Sequence, residues 1–224
     1  MRVVLVGGTG LVGSLFADRL LERGRGELHA LLRNPSGRDQ AGWREHIAPV
    51  SEWPRIVGSI AAQVAISALG TTMRAAGSQA AFRAVDHDAV VAFASAARDA
   101  GARHMLTVSS AGADRHSRNF YLKLKGEVEH ELSQLDFERL DIFRPGLLRG
   151  PRGGDRRVAE RLGIAVSPLT DLFMKGPLDR YASVAASSVA DAMLATLEES
   201  AAGVHVHGNR QILGLARRSG PASI

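Results

Sequence analysis

Residues 3–13 of the chain read VVLVGGTGLVG, an apolar run that passes directly into a glycine-rich turn. The four apolar residues predict a buried strand, and the apolar spacing that follows predicts a helix over residues 11–23. Between the two elements, Gly7 permits a tight turn, Gly10 lets the backbone approach a pyrophosphate, and Gly13 allows close helix–strand packing. The free N–H groups at the helix start favour phosphate groups. The stretch therefore predicts a pyrophosphate-binding loop at the first turn of an α/β fold.

The rest of the chain alternates strands and helices in the same way. Such alternation predicts a doubly wound parallel sheet with helices on both faces, a three-layer α/β/α architecture. One domain covers residues 1–224, and residues 150–183, rich in Gly, Pro and Arg, are expected to form a small substrate-covering portion. We expect the tail over residues 217–224 to be frayed. The further expected strands are 28–32, 46–50, 64–69, 104–108, 139–143 and 204–207, and the further expected helices are 80–100, 121–135 and 187–197.

Composition excludes several classes of protein. The 224 residues are 45% hydrophobic and include no cysteine, which excludes a disulfide framework, a thiolate metal site and a cysteine nucleophile. His205 and His207 alternate on one expected strand, but no further ligand is placed beside them, so no metal site is expected. The net charge is +5, with only three lysines among 28 basic residues. Because the arginines are scattered and aromatic residues make up 5%, we expect no nucleic-acid partner.

No uncharged apolar run of about 20 residues occurs, so no membrane association is expected. The chain begins with Met1-Arg2 and enters its first strand at once, without the longer apolar region of a signal peptide. On these grounds we expect a cytoplasmic protein. The apolar helix expected over residues 80–100 would suit a homo-oligomer interface.

The end of the second expected strand bears on the choice of cofactor. An acidic residue at this position would accept a hydrogen bond from the ribose 2′-hydroxyl of NAD. The chain instead has Arg33 followed by Asn34, with Arg38 nearby. A guanidinium matches a 2′-phosphate with paired donors, so the sequence predicts NADP(H) rather than NAD. The alternative is a solvated loop arginine.

Tyr121 and Lys125 stand four residues apart on an expected helix, which places them on one face. An ammonium beside a phenol favours the phenolate, so Tyr121 could serve as a general acid–base for a carbonyl or an alcohol. Ser109 and Ser110 follow the fifth expected strand at its carboxyl end, where either could polarise a substrate oxygen. The alternative is that the Tyr121 ring packs on the sheet while Lys125 is solvated.

Together with the glycine loop, five further stretches resemble the short-chain dehydrogenase/reductase superfamily, and within it the atypical branch that contains the Tat-interacting oxidoreductase. They are LGTT at residues 69–72, FRAVD at 82–86, HMLTVSSAGAD at 104–114, FYLKLKGEVE at 120–129 and FRPG at 143–146. The resemblance spans about residues 1–150 well and the remainder loosely.

The resemblance implies a Rossmann fold, NADPH binding and a Ser–Tyr–Lys site in which Tyr121 exchanges the proton, Lys125 activates it, and Ser109 or Ser110 is the active serine. It also implies that residues 69–71 line the adenosine-ribose side of the cofactor and that residues 144–147 pass near the nicotinamide. One departure is Asp86, at the position closest to an Asn that serves a proton relay in many members. The residues expected to bind the cofactor are Gly7, Thr9, Gly10, Leu11, Val12, Gly13, Arg33, Asn34, Leu69, Gly70, Thr71, Tyr121, Lys125, Arg144, Pro145, Gly146 and Leu147.

Three functions are compatible with these residues. The first is an NADP-dependent oxidoreductase that transfers a hydride between the nicotinamide and a small carbonyl or alcohol substrate. The second is an NADPH-sensing regulatory protein with little or no turnover, in which the cofactor biases a surface towards a partner. The third is an epimerase or dehydratase with tightly held NAD, which the presence of Arg33 disfavours.

Overall fold

A parallel sheet of seven strands forms the centre of the computed structural model, which describes residues 1–24, 26–150 and 181–219. A separate two-stranded parallel ladder lies beside it. The seven sheet strands are β1 (Arg2–Val6), β2 (Glu27–Leu32), β3 (Trp43–Ile47), β4 (Val64–Ser67), β5 (His104–Val108), β6 (Arg139–Arg144) and β9 (Gly203–Gly208), and the ladder strands are β7 (Leu148–Arg149) and β8 (Val184–Ala185).

The spatial order of the sheet is β3-β2-β1-β4-β5-β6-β9. The chain therefore starts in the middle of the sheet, winds to one edge, returns to the far side of β1 and continues to the other edge. This doubly wound order confirms the predicted fold class. The direction of winding reverses between β1 and β4, so the loops that follow these two strands separate and leave a crevice at their carboxyl ends.

Helices cover both faces of the sheet. They are α1 (Leu11–Glu22), α2 (Trp53–Gly58), α3 (Met73–Ala76), α4 (Gln79–Arg83), α5 (Ala89–Asp99), α6 (Phe120–Ser133), α7 (Ala186–Thr196) and α8 (Asn209–Ser219). One apolar cluster packs α1, α7 and α8 against one face, and a second packs α2, α5 and α6 against the other. Strand β1 is buried between the two clusters and has only apolar residues from Val3 to Val6, as a parallel strand covered on both faces requires.

Some element boundaries differ from the prediction. The third strand is Trp43–Ile47 rather than residues 46–50, because the Trp43 ring is buried in the core and a 3₁₀ turn already begins at Val50. The helix expected over residues 80–100 is interrupted by a π-helical turn at Ala84–Asp88. Residues 217–219 are not a frayed tail but the last turn of α8, and residues 220–224 lie outside the described part. Within the proposed substrate-covering portion, residues 151–180 also lie outside it.

Strands β5, β6 and β9 are joined by a buried cluster of polar side chains around Asp141. His104 and His207 each place Nε2 2.6 Å from one of its carboxylate oxygens, and Arg139 donates to both oxygens at 2.6 and 2.9 Å. Burial alone would raise the pKa of Asp141, but the hydrogen bonds from His104, His207 and Arg139 outweigh it and hold that pKa well below its usual range. His207 is thus a partner of a buried carboxylate. Among the described residues, no group of three or more His, Asp or Glu side chains is arranged so that it could hold a metal ion.

No helix in the described ranges combines the length and the apolar character that crossing a membrane requires.

Candidate functional site

The loop after β1 is held tightly against the end of β4. Gly7 has φ of +83°, a conformation that favours glycine, and its carbonyl accepts the N–H of Gly10 at 2.9 Å. A Cβ on Gly7 would lie 2.4 Å from the carbonyl carbon of Ala68, and a Cβ on Gly13 would lie 2.2 Å from the Gly7 oxygen. Backbone thus fills the space that side chains would occupy. Gly7 and Gly13 are therefore required by the packing of the loop.

Gly13→Ala is expected to lower the free energy of unfolding by about 1–3 kcal/mol, because the new methyl group meets backbone that cannot retreat. The matched control is Gly58→Ala at the end of α2, where a Cβ would meet nothing within 4 Å. Urea unfolding of the two variants and the wild type measures the difference. A Gly13→Ala variant as stable as Gly58→Ala would contradict this account of the loop.

The start of α1 offers backbone donors to a ligand. Gly10 precedes the helix in an extended conformation, and the first turn contains no acidic residue. The first N–H groups of a helix lack intrahelical partners and carry the positive end of its dipole. Val12 and Gly13 are buried, so these positions can present only their backbone to a ligand. This arrangement suits the phosphate groups that the sequence predicts.

A cleft of about 800 Å³ opens between the loops that follow β1, β2 and β4. Arg33 and Asn34 are exposed on its wall. The cleft brings together predicted cofactor residues from three separate parts of the chain. Its lining residues are Gly7, Gly8, Thr9, Ser14, Asp18, Leu31, Leu32, Arg33, Asn34, Pro35, Ser36, Gly37, Arg38, Asp39, Gln40, Trp53 and Leu69.

Arg38, which lines the same cleft, is held by its neighbours. Its guanidinium donates to the Asp18 carboxylate and to Oε1 of Gln40 at 3.0 Å, and it lies 4.7 Å from the centre of the Trp43 ring. A cation over an indole face is attracted by the ring electrons. Arg38 is therefore already neutralised, which leaves Arg33 as the more available guanidinium. The sequence reasoning missed Asp18, because no motif marks it and only the folded β2 loop brings Arg38 to it.

The predicted Tyr–Lys pair lies on α6, but Lys125 has a buried partner. Its Nζ is 2.8 Å from Oδ1 of Asp86, and the two side chains are 6% and 1% exposed. The other oxygen of Asp86 accepts the N–H of Thr71 at 2.7 Å. Asp86 sits in the π-helical turn, a feature often found at functional sites. One carboxylate thus connects α6 to the loop after β4. Tyr121 is half-buried, with its ring edge-on to Phe82 at 5.9 Å.

The two candidate serines have different surroundings. Ser109 is buried and its hydroxyl donates to Glu129, whereas Ser110 is half-buried and its hydroxyl has only a 3.4 Å contact with the Ala111 carbonyl. Glu129 also forms an ion pair with Arg144, which raises the pKa of that guanidinium through hydrogen bonding. The sequence reasoning missed Glu129, although its position four residues after Lys125 was a usable signal.

The segment from Arg144 to Leu147 starts at the last residue of β6 and is held in place by hydrogen bonds to its backbone groups. The Pro145 carbonyl accepts the N–H of Ala111 at 2.8 Å, and the Gly146 N–H donates to Oδ1 of Asn209 at 2.9 Å. A Cβ on Gly146 would lie 2.2 Å from the carbonyl oxygen of Ala182. The predicted nicotinamide-side segment is therefore fastened to the turn after β5 and to the start of α8.

With this geometry in view, comparison with known proteins identifies the family. A family described as NAD(P)H-binding matches residues 7–200, and the chain belongs to it. "Protein FMP52, mitochondrial" of Coccidioides immitis is 38% identical over 178 residues, covering 70% of this chain and 69% of the relative. The Saccharomyces cerevisiae protein of the same name is 34% identical over 163 residues, covering 70% of each chain.

Solved structures share the fold. UDP-glucose 4-epimerase from Thermotoga maritima with UDP-glucose superposes with a TM-score of 0.68 at 16% identity, covering 100% of this chain and 84% of that one. The Bordetella bronchiseptica enzyme WbmH in complex with NAD+ gives a TM-score of 0.67 at 16% identity, covering 93% and 75%. The chain therefore has an NAD(P)-binding Rossmann fold, and its family and relatives are consistent with the resemblance to the atypical short-chain dehydrogenase/reductases.

The comparisons also correct one prediction. We expected a cytoplasmic protein because the chain enters its first strand without a signal-peptide pattern. The fungal relatives at 34–38% identity are named as mitochondrial proteins, so that prediction is wrong. A signal-peptide pattern and an apolar span bear on secretion and on membrane insertion, not on import into an organelle.

Proposed function

We propose that the chain is an NADP(H)-dependent oxidoreductase that acts on a small carbonyl or alcohol substrate. The observation that carries this proposal is the buried Lys125–Asp86 pair, which ties the Tyr–Lys face of α6 to the loop after β4. A lysine held in this way has a fixed position, and it lines a small pocket together with Leu69, a residue that also lines the cleft. That position suits both a tyrosine partner and a cofactor ribose. Burial of the two charges is costly, and the pairing and the Thr71 N–H offset that cost.

The residues around the cleft fit a dinucleotide carrying a 2′-phosphate. The turn at Gly7, Thr9 and Gly10 and the start of α1 would hold the pyrophosphate, because glycines let a ligand approach the backbone and the first N–H groups of a helix lack intrahelical partners. Arg33 would bind the 2′-phosphate, since its exposed guanidinium provides paired donors. Residues 69–71 would contact the adenosine ribose. When bound, the reduced nicotinamide supplies a hydride to a carbonyl carbon.

The chain's own residues would manage the proton and the substrate oxygen. Tyr121 gives its phenolic proton to the oxygen as the carbonyl becomes an alcohol, and solvent returns that proton in the next cycle. Lys125 stabilises the phenolate that remains. A serine hydroxyl donates to the same oxygen and stabilises its developing negative charge. Residues 144–147 would form the wall beside the reacting carbon.

The test is steady-state oxidation of NADPH by the purified protein with phenanthrenequinone, a generic diketone probe. The proposal predicts loss of the nicotinamide absorbance in proportion to enzyme, with NADPH preferred over NADH. Tight NADPH binding without oxidation by this or other simple carbonyls would favour the NADPH-sensing regulatory protein. A preference for NAD that stays bound through purification would favour the epimerase or dehydratase.

A further inference from the structure

Helix α6 continues the proposed site inwards beyond Lys125. Tyr121, Lys125 and Glu129 follow one another at intervals of four residues and so share one face of the helix. Exposure falls from the half-buried Tyr121 to 5% for Lys125 and 6% for Glu129. Burial of a carboxylate is costly unless it is paired and hydrogen-bonded. The groups that pair with the Glu129 carboxylate therefore indicate its role.

Arg144 clamps the Glu129 carboxylate with both oxygens engaged. Its Nε donates at 2.9 Å to Oε1 and at 3.1 Å to Oε2, and a terminal nitrogen also donates to Oε2. Such paired donation fixes the plane of the carboxylate as well as its position. Arg144 is the last residue of β6 and the first residue of the segment proposed to line the nicotinamide. The ion pair thus locks α6 to the carboxyl end of β6.

The same carboxylate holds the turn after β5. The Ser109 hydroxyl donates to Oε1 of Glu129, and the Ser109 N–H donates to the Phe143 carbonyl at 2.7 Å. Two residues later, the Ala111 N–H donates to the Pro145 carbonyl at 2.8 Å. Ser110 lies between these two residues, and within the described part of the chain its hydroxyl makes only the 3.4 Å contact with the Ala111 carbonyl. Among the described residues, the Ser109 hydroxyl therefore has a strong acceptor and the Ser110 hydroxyl does not.

We propose that Glu129 is a positioning residue that captures the Ser109 hydroxyl and thereby sets the turn so that Ser110 is the serine that contacts the substrate oxygen. The contact between Ser110 and a substrate rests on the proposed function. The clamp, meaning the bonds of the Glu129 carboxylate to Arg144 and Ser109, does not depend on that function. A hydroxyl has a single proton, so Ser109 cannot donate to Glu129 and to a carbonyl at once. Ser110 can donate to a carbonyl without giving up a strong bond.

The test compares Ser109→Ala, Ser110→Ala and Glu129→Gln with Glu127→Gln as the matched control. Glu127 lies on the same helix but pairs with Arg83 at 2.8 Å instead of with the β5 turn. With phenanthrenequinone and NADPH, Ser110→Ala should lower kcat about a hundredfold or more, as loss of an oxyanion donor does. Ser109→Ala should lower kcat less than about tenfold, and Glu129→Gln should lower kcat about tenfold. In these variants the NADPH dissociation constant should stay within about threefold of the wild-type value.

Amide hydrogen exchange tests the clamp without any substrate. Glu129→Gln should speed exchange at the Ala111 amide about tenfold or more, because a neutral amide holds Arg144 and Ser109 less firmly, whereas Glu127→Gln should leave it unchanged. Equal exchange in the two glutamine variants would overturn the positioning role. A loss of kcat in Ser109→Ala as large as in Ser110→Ala would overturn the serine assignment. If the wild type reduces no carbonyl, the proposed function fails and the Ser110 contact with it, while the exchange result still decides the clamp.

Discussion

Asp141→Asn is expected to lower the free energy of unfolding by about 3–5 kcal/mol, the usual cost of removing one partner from a buried charge cluster. The carboxylate accepts from His104, His207 and Arg139 and is fully buried. In the asparagine variant, an NH₂ group replaces one carboxylate oxygen, so a donor faces the donors that this oxygen accepted from. Arg139 is itself buried, so its charge would lose its counterion in the interior. Urea unfolding at neutral pH, followed by circular dichroism, measures the loss.

The control for this variant is Asp99→Asn, which makes the same chemical change at an exposed position at the end of α5. Surface substitutions of this kind usually stay within about 0.5 kcal/mol of the wild type. A loss below about 1 kcal/mol in Asp141→Asn would show that the cluster does not stabilise the sheet as described.

The same cluster is expected to contribute to the acid sensitivity of the fold. Because the pKa of Asp141 is held well below that of an unfolded aspartate, about 3.9, the folded state binds fewer protons in the range between them. The stabilisation that the Asp141 carboxylate provides is complete above its pKa in the unfolded chain, and it is lost as the pH falls through its pKa in the folded protein. The wild type should therefore lose stability below about pH 4–5 more steeply than Asp141→Asn does.

Tyr121→Phe is expected to lower kcat about a thousandfold, within the range that general acid–base groups contribute. The variant keeps the ring and its edge-on contact with Phe82, so the helix and the cleft should be undisturbed. It removes only the hydroxyl that carries the proton. Lys125 should keep its pairing with Asp86, so NADPH should bind with unchanged affinity. The measurement is NADPH oxidation with phenanthrenequinone beside an NADPH binding titration.

Two outcomes of this measurement would count against proton transfer by Tyr121 or leave it without support. Turnover in Tyr121→Phe equal to that of the wild type would remove the tyrosine from the proton transfer. Loss of turnover together with loss of NADPH binding would indicate damage to the cleft, and the proton-transfer role would then have no support from this variant.

The sequence predicted the sheet well because its central strands are continuous apolar runs, as Val3–Val6 is in β1. It failed where tertiary contacts decide an element. No helix is predicted over residues 209–219, and residues 217–224 are expected to be frayed, yet Ile212 and Leu215 of α8 pack in the core. Asn209 at its start donates to the Ala182 carbonyl at 2.7 Å and accepts from Gly146, contacts that no local pattern records.

The site likewise contains residues that could be predicted from the sequence and residues that could not. Gly7, Gly13 and the Tyr121–Lys125 spacing are local patterns, and they could be found from the sequence. The partners that hold these residues could not be assigned, because they depend on the strand order. Asp86 meets Lys125 across 39 residues of chain, and Glu129 meets Ser109 across 20. Only the adjacency of β4, β5 and β6 brings the parts of each pair together.

The most direct test of the account is a titration of the purified protein with NADPH and with NADH, followed by nicotinamide fluorescence, for the wild type, Arg33→Ala and Arg55→Ala. Arg55 is a highly exposed arginine on α2 and serves as the control. We predict tight NADPH binding that Arg33→Ala weakens about 10–100-fold, the worth of a charged hydrogen-bond pair, while NADH binding and the Arg55→Ala variant stay unchanged. Binding of neither nucleotide, or equal NADPH affinity in Arg33→Ala and the wild type, would contradict the account.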